Sequence, residues 1–380
     1  MLFKVPGVQP QEQEVIERIE EAQETLRWAL QEPRVWTGLL RRVHFAKAIR
    51  ASNSIEGYNV TMDDAIAVAE GEAPIDADEP SARAVAGYRR AMTYVLRLAT
   101  EPDFSYTPQL VRSLHFMMLE HFIDRDPGAY RRGHIYVRDS GSGEIVYEGP
   151  EAERVLPLVQ ELADGLNESP ESPAIIQAAM AHLNLVLIHP FRDGNGRMAR
   201  CLQTLVLARE GILVPEFCSI EEYLGRNTPD YYRMLGEVGK GYWQPANDAR
   251  PWVRFCLTAH YRQAKTIHQR WKESERLWAL LSEEAERRGL PDRYRFAMYD
   301  AAQGYRVRRA TYQPIAEVSD TLATRDLAAL VGKDLLRPVG ERRGRYYLAS
   351  DTLKELRHRA IGPRLPIEDP FESTRLSLDS

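Results

Sequence analysis

Four side chains able to do phosphate and proton chemistry fall within one short run, HPFRDGNGRMAR at residues 189–200. Gly194 and Gly196 flank Asn195 just before a helix-forming stretch, an arrangement that lets backbone N–H groups approach an anion at a helix N-terminus. Arg197 and Arg200 stand three apart on the first helical turn and can add forked, charge-assisted bonds to phosphate oxygens. Together these residues read as a cradle for a polyphosphate, with Asn195 and the loop amides stabilising charge on its oxygens. Asp193 would repel that anion unless a cation lay between, so it reads as a ligand for Mg²⁺ bridging two phosphates. His189, at the end of the preceding helix, is the group in the run whose ordinary pKa suits proton abstraction near neutral pH.

The run resembles the signature of the Fic family, HPFx[DE]GNGRxxR, and meets every specified position: His189, Pro190, Phe191, Asp193, Gly194, Asn195, Gly196, Arg197 and Arg200. The resemblance implies a protein adenylyltransferase using ATP and Mg²⁺. His189 would take the proton of a Tyr, Thr or Ser hydroxyl on a target protein, or on the chain itself. That hydroxyl would attack the α-phosphorus of ATP and leave AMP on the target. The same resemblance places Tyr231 and Tyr232 near the nucleotide, while Gly239 stands where the family often has an Asn. Two other readings fit the same residues: an enzyme of this fold that removes AMP or uses another nucleotide, and a DNA-binding regulator whose Fic domain only senses nucleotide.

The elements that must position this run are mainly helical. Val15, Ile16, Ile19, Ala22 and Leu26 recur at helical spacing, and Leu39 to Ile49 continue in that style. Residues 72–82 form a Pro- and acid-rich break. Thr107 followed by Pro108 predicts an N-cap for a helix reaching about Phe122. Helices are expected over 152–167 and 174–187, the second apolar enough to be central. Between them and the preceding helix, Ile135–Val137 and Glu144–Tyr147 flank a Ser/Gly turn and predict a β-hairpin. By resemblance this is a flap over the active site, with Ile145, Val146 and Tyr147 pairing with the target segment. His115 and His182 read as core histidines.

Residues 52–57, SNSIEG, fit the family's inhibitory pattern [ST]xxxE[GN] with Ser52, Glu56 and Gly57 in the fixed positions. Resemblance implies that Glu56 pairs with Arg200 and blocks the place of the ATP γ-phosphate. Residues 292–348 resemble a winged helix-turn-helix with a recognition helix near 319–330 and a wing at 340–345. Residues 305–345 hold nine Lys/Arg against five Asp/Glu, so DNA or a protein is the expected partner, with Arg342, Arg343 and Arg345 as wing contacts.

Composition bounds the rest. A chain of 380 residues, 44% hydrophobic and 28% charged, is sized for two or three domains. The expected division is an N-terminal helical region (1–100), a catalytic domain (101–260), a linking helix (261–291), a winged-helix domain (292–350) and a tail (351–380). The net charge of −5 argues against a generally basic nucleic-acid-binding surface. No basic head with an apolar stretch opens the chain and no run of 18 apolar residues occurs, which predicts a cytoplasmic protein without membrane contact, with a homodimer as one assembly open to it. Cys201, Cys218 and Cys256 lack zinc or disulfide spacing and are expected to be reduced and packed.

Overall fold

The computed structural model describes residues 1–372 apart from 32, 33, 35, 139, 140, 169–171, 212–216, 218, 342, 343, 364 and 365, and apart from the side chains of 28–31. Its architecture is mainly helical, with two small antiparallel sheets of two strands each among the described residues. The centre is α7 (Ala174–Ile188), whose residues from Ile175 to Ile188 are nearly all buried. A helix apolar on every side can only be a core helix, and neighbours enclose it: α6 (Ala152–Asn167) and α8 (Asn195–Arg209), together with the start of a long helix, α11 (Arg250–Arg287). Trp252 of α11 donates its indole N–H to the Ala179 carbonyl at 2.7 Å, fixing the two helices in register.

Local chemistry sets the helix starts. The Thr107 hydroxyl accepts from the Leu110 amide at 3.0 Å with Pro108 beginning α5 (Pro108–Leu119), as the sequence predicts. Thr61 caps α3 (Met62–Ala69) and Asp78 caps α4 (Glu79–Leu98) in the same manner. Helix α5 stops at Leu119 rather than near Phe122, and a 3₁₀ turn over Ile123–Arg125 follows. The flap strands are β1 (Tyr136–Arg138) and β2 (Ile145–Glu148), antiparallel, with an irregularity between Val137 and Arg138.

Helix α11 runs unbroken for 38 residues, about 57 Å at 1.5 Å per residue, because no Gly or Pro interrupts it after Pro251. The boundary expected at 260 therefore falls inside one helix that belongs to the core and to the C-terminal region alike. On its N-terminal half packs α1 (Pro10–Gln31), where buried Glu12 accepts from Arg250 at 2.7 Å and Arg254 at 2.9 Å. On its C-terminal half pack α12 (Tyr294–Ala302) and α15 (Asp351–Ala360). Between those two lie α13 (Arg309–Ile315), α14 (Asp320–Gly332) and the hairpin of β3 (Leu336–Val339) and β4 (Tyr346–Ala349).

Several arginines of this C-terminal region have partners within the chain. Arg306 pairs with Asp63 and Asp76, Arg308 donates to the Ala73 carbonyl, and Arg309 pairs with Asp320. Arg345 is exposed, whereas Arg342 and Arg343 lie outside the described residues, as does Cys218; Cys201 and Cys256 are buried free thiols. None of the described helices is long and apolar enough to cross a membrane.

Helix α2 (Thr37–Ile55) is tied to both halves of the molecule. Its Arg42 donates to Glu70 just after α3 at 2.7 Å and to Asp300 of α12, with all three side chains nearly buried. Replacing Arg42 with Ala leaves two carboxylates buried without their cation, a change that costs about 3 kcal/mol or more. Thermal unfolding of Arg42→Ala is expected several degrees below the parent; an unchanged midpoint would show that this bridge does not hold α2.

Candidate active site

His189 closes α7 in the left-handed region at φ 49°, a strained place for a non-glycine residue. The strain is held by Arg131, whose Nε donates to the His189 carbonyl at 2.9 Å. Arg131 Nη1 also donates to the Gly133 carbonyl at 2.7 Å, while its backbone N–H donates to the Pro190 carbonyl at 3.0 Å. One arginine thus caps the helix C-terminus and pins the base of the flap. Sequence reasoning missed it, because an arginine 58 residues upstream shows no local pattern. The His189 Nδ1 lies 3.0 Å from the Val186 carbonyl, which assigns the ring proton to Nδ1 and leaves Nε2 as the basic nitrogen. Burial lowers its pKa below the usual histidine value, opposed by the Val186 contact and supported by the charge of Arg131.

The loop after it is rigid. Asn195 joins Phe191 by a reciprocal pair, accepting from its amide and donating to its carbonyl, both at 2.9 Å. Its buried side chain therefore shapes the loop, which differs from the expectation that it faces a phosphate directly. His115, expected only as a core residue, is buried but has a loop-shaping role as well. Its Nδ1 accepts from the Gly128 amide at 2.8 Å, so Nε2 carries the proton and donates to the Asp193 carbonyl at 3.0 Å, while the ring stacks on Phe191. Gly194 caps α8 at φ 76° and presses on Leu119, where a Cβ would clash. The Asp193 carboxylate accepts from the Gly194 amide at 2.7 Å and faces Arg125 at 3.3 Å.

The two signature arginines diverge. Arg200, 1% exposed, donates from Nε to the Ser52 hydroxyl at 2.8 Å, and from Nη2 to the Ser52 carbonyl at 2.9 Å and to Glu56 at 2.7 Å. Burial works against its charge, and Glu56, Tyr231 and Tyr88 outweigh that, so it stays protonated. Arg197, fully buried, has its guanidinium 5.2 Å from the Tyr58 ring centre, and its three nitrogens have no hydrogen-bond partner among the described residues. The orphaned cation is suited to an anionic partner.

Glu56 ends α2, where a tight turn follows: the Tyr58 amide donates to Asn53 and the Gly57 amide to Ser54, with Gly57 at φ 86°. This turn delivers the Glu56 carboxylate to the first turn of α8. It approaches so closely that a Cβ on Gly196 would collide with its Oε1, so the glycine there is a condition of the contact. Ser52, Glu56, Gly57, Gly196 and Arg200 thus meet at one point, although 144 residues separate the glutamate from the arginine.

Tyr231, expected near the nucleotide, is 1% exposed and packs edge-on to His182. Its hydroxyl lies 3.5 Å from Arg200 Nη1 and 3.0 Å from His182 Nε2, and His182 Nδ1 is in turn 2.6 Å from Gln203 Oε1. It therefore supports Arg200 from within the core. Tyr232 is 48% exposed and donates to the Ile55 carbonyl at 3.2 Å, next to Glu56, so it is the half of the pair open to a ligand. Behind Arg200, the Tyr88 hydroxyl donates to Glu221, whose carboxyl burial pushes up to about 7 against that bond and the charge of Arg200. Nothing local in the sequence points to this buried acid.

On the flap, Ile145 and Val146 are half exposed, whereas Tyr147 is buried and donates its hydroxyl to the Leu187 carbonyl at 2.7 Å. Tyr147 anchors the flap instead of offering itself to a target, and a Cβ on Gly239 would come within 3.2 Å of its ring. The Glu148 amide donates to Gly241 and the Trp243 amide to Glu148, so the end of β2 is fixed as well. Among the described residues no cluster of three or more metal-ligating side chains occurs, and Asp193 stands as a single carboxylate.

Residues 105–207 match the family model for the Fic/DOC family. The chain is 28% identical over 259 residues to a protein adenylyltransferase Fic of Nematostella vectensis, covering 66% of this chain and 55% of that one. It is 30% identical over 254 residues to the protein of the same name in Drosophila melanogaster, covering 64% and 46%. The chain thus spans about half the length of these curated relatives. Among solved structures, a Fic family protein from Desulfovibrio desulfuricans G20 has the same fold at TM-score 0.59 and 21% identity, covering 91% of this chain and 98% of that one. A Fic domain containing signaling protein from Bacteroides thetaiotaomicron follows at 0.54 and 21%, covering 68% and 97%. The signature at the start of α8 lies within the stretch that matches the Fic/DOC family, and the fold around it is shared with solved Fic proteins.

Proposed function

We propose that the protein transfers AMP from ATP to a hydroxyl side chain of a protein target, and that its own Glu56 restrains the reaction. The observation that carries this reading is the seating of the Glu56 carboxylate on the first turn of α8, 2.7 Å from Arg200. A helix N-terminus and a buried guanidinium attract an anion, and the chain supplies one of its own. A polyphosphate needs the same donors, so Glu56 and the terminal phosphate compete for Arg200.

In the reaction proposed, His189 Nε2 takes the proton of the target hydroxyl as its oxygen attacks the α-phosphorus. The bond from that phosphorus to the β-phosphate oxygen breaks, and pyrophosphate leaves. The loop held by Asn195, His115 and Arg131 keeps the amides of residues 195 and 196 in place for the phosphate oxygens, so little reorganisation is needed as charge builds. Arg197, without a hydrogen-bond partner among the described residues and packed against Tyr58, supports the same anion. Asp193 fits Mg²⁺, which is commonly held by one or two carboxylates together with substrate phosphates, and would neutralise phosphate charge there. Ile145 and Val146 on the flap present apolar contact to the target segment. The C-terminal region reads as a winged helix used within the chain, since Arg306, Arg308 and Arg309 already have partners in it.

Glu56→Gly is expected to raise transfer of label from α-labelled ATP to protein by roughly tenfold to a hundredfold, the factor for removing one charge-assisted competitor worth about 1.5–3 kcal/mol. Adding His189→Ala should abolish it. Equal rates in Glu56→Gly and the parent would remove the restraint from the reading, and label surviving His189→Ala would remove the base.

The pH dependence follows from the lowered pKa of His189. A histidine acts as base only when neutral, and a depressed pKa keeps it neutral to lower pH. The acid limb of kcat/KM for Glu56→Gly is therefore expected below the ordinary histidine value of about 6.5. A limb above that value would assign the proton transfer to another group.

A further inference from the structure

The reaction proposed leaves a buried acid in the field of Arg200 without a task. Glu221 begins a short helix, α9 (Glu221–Arg226), and is 1% exposed. Its Oε1 accepts from the Tyr88 hydroxyl of α4, and its Oε2 has no hydrogen-bond partner among the described residues. The groups that face it are few. Tyr88 comes from α4, Arg200 and Cys201 come from α8, and the charge of Arg200 acts on it. On its own helix Glu222 is taken by Arg270 of α11 at 2.6 and 2.7 Å and by Arg226 at 2.6 Å. From α2, Lys47 acts on Glu222, and burial keeps His44 neutral.

A buried carboxyl ionises only where a donor or a cation meets the cost of burial. For Glu221 burial raises the pKa to about 7, against the Tyr88 bond and the charge of Arg200. What else accompanies that charge therefore decides whether the proton stays. The company of Arg200 is Ser52, Tyr231 and Glu56, and of these Glu56 is the anion. When Glu56 leaves, the guanidinium stays where it is, because Ser52 holds it by bonds of 2.8 and 2.9 Å. Helix α9 is pressed on α2 so closely that a Cβ on Gly225 would lie 2.9 Å from that of Ala51, next to Ser52. A cation fixed in the interior without its anion raises the worth of any negative charge within its field. Glu221 supplies that charge by losing a proton, with no movement of the chain.

We propose that Glu221 is a positioning residue for Arg200, which gives up its proton to solvent when Glu56 leaves and takes one up when a nucleotide phosphate fills the place. The proposal rests on the reading that Glu56 and a phosphate compete for Arg200. In the interval between the two anions, ionised Glu221 balances the guanidinium; once neutral again, it leaves the whole charge of Arg200 to the phosphate. Nucleotide binding to the unrestrained enzyme therefore draws a proton from solution.

The test is calorimetric titration of the full chain bearing Glu56→Gly with a non-hydrolysable ATP analogue, from about pH 5.5 to about 8, in buffers of different ionisation enthalpy. The dependence of the heat on the buffer counts the protons taken up on binding. A pKa that differs by about one between the two states gives uptake of about half a proton at the pH midway. Adding Glu221→Gln, which keeps an acceptor for Tyr88, is expected to remove that uptake while the analogue still binds. Protons carried by the analogue itself are common to both proteins and cancel in the difference. Tyr88→Phe removes the bond that favours the ionised carboxyl, so its addition to Glu56→Gly is expected to move the peak of uptake to higher pH. Equal uptake with and without Glu221→Gln overturns the proposal, and where that variant does not fold, a peak unmoved by Tyr88→Phe does so. No binding of the analogue to Glu56→Gly removes the cradle reading and the proposal with it, whereas binding with unchanged uptake removes the proposal alone.

Discussion

A buried guanidinium is costly without an anion beside it, and the arrangement of this molecule around α8 follows from that constraint on Arg200. Its side chain is sealed from solvent, with Ser52 and Tyr231 fixing its plane and Glu56 balancing its charge. Ser52 supplies both a hydroxyl and a carbonyl, so the guanidinium cannot rotate away when Glu56 leaves. The second layer serves the same end. Tyr231 is oriented by His182, His182 by Gln203, and Glu221 with Tyr88 places a further carboxyl behind. Because burial holds that carboxyl near pKa 7, it adds only part of a negative charge near neutral pH and competes weakly with Glu56.

His189 obeys a different constraint. A histidine at a helix C-terminus sits among outward-pointing carbonyls, which would favour the imidazolium. Burial and Arg131 act in the opposite sense, and Arg131 also takes up the His189 carbonyl. The left-handed turn at His189 swings the chain at once into the loop, so His189 and the start of α8 share one rigid connection. Asn195 closes that loop on itself through Phe191, and His115 braces it from α5.

The parts of this arrangement legible in the sequence are those written within a few residues. The signature spells its own loop, Thr107 with Pro108 announces α5, and SNSIEG marks the end of α2, because caps and tight turns depend on neighbours in the chain. What was not legible depends on distant partners. Tyr88 meets Glu221 across 133 residues, and Arg131 meets His189 across 58. Resemblance places Tyr147 with Ile145 and Val146 on a flap against the target, but its ring turns inward onto α7, where its hydroxyl meets the Leu187 carbonyl. Tyr231 and Tyr232 look equivalent as a pair, yet neighbours on a helix point about 100° apart, so one is core and one is surface. Helix α11 runs through residue 260 for a related reason: no Gly or Pro breaks it after Pro251.

In the reading proposed, the strength of restraint by Glu56 is a matter of effective concentration. A carboxylate tethered to a fixed helix end meets Arg200 as an intramolecular partner, whereas ATP must arrive from solution. How high that effective concentration is depends on how firmly α2 is held, and its anchors lie far from the cradle. Arg42 fastens it to Glu70 and Asp300, and Arg50 reaches the Val60 carbonyl at 2.9 Å. Asp300 belongs to α12, which packs on the C-terminal half of α11 and on the C-terminal region. Any shift of that region relative to α11 therefore loads α2 through a buried ion pair, and buried pairs tolerate little displacement before a charge is left uncompensated. In the reading proposed, the control of ATP use is set less by the signature loop, which is braced on every side, than by the packing of α2 between two halves of the chain.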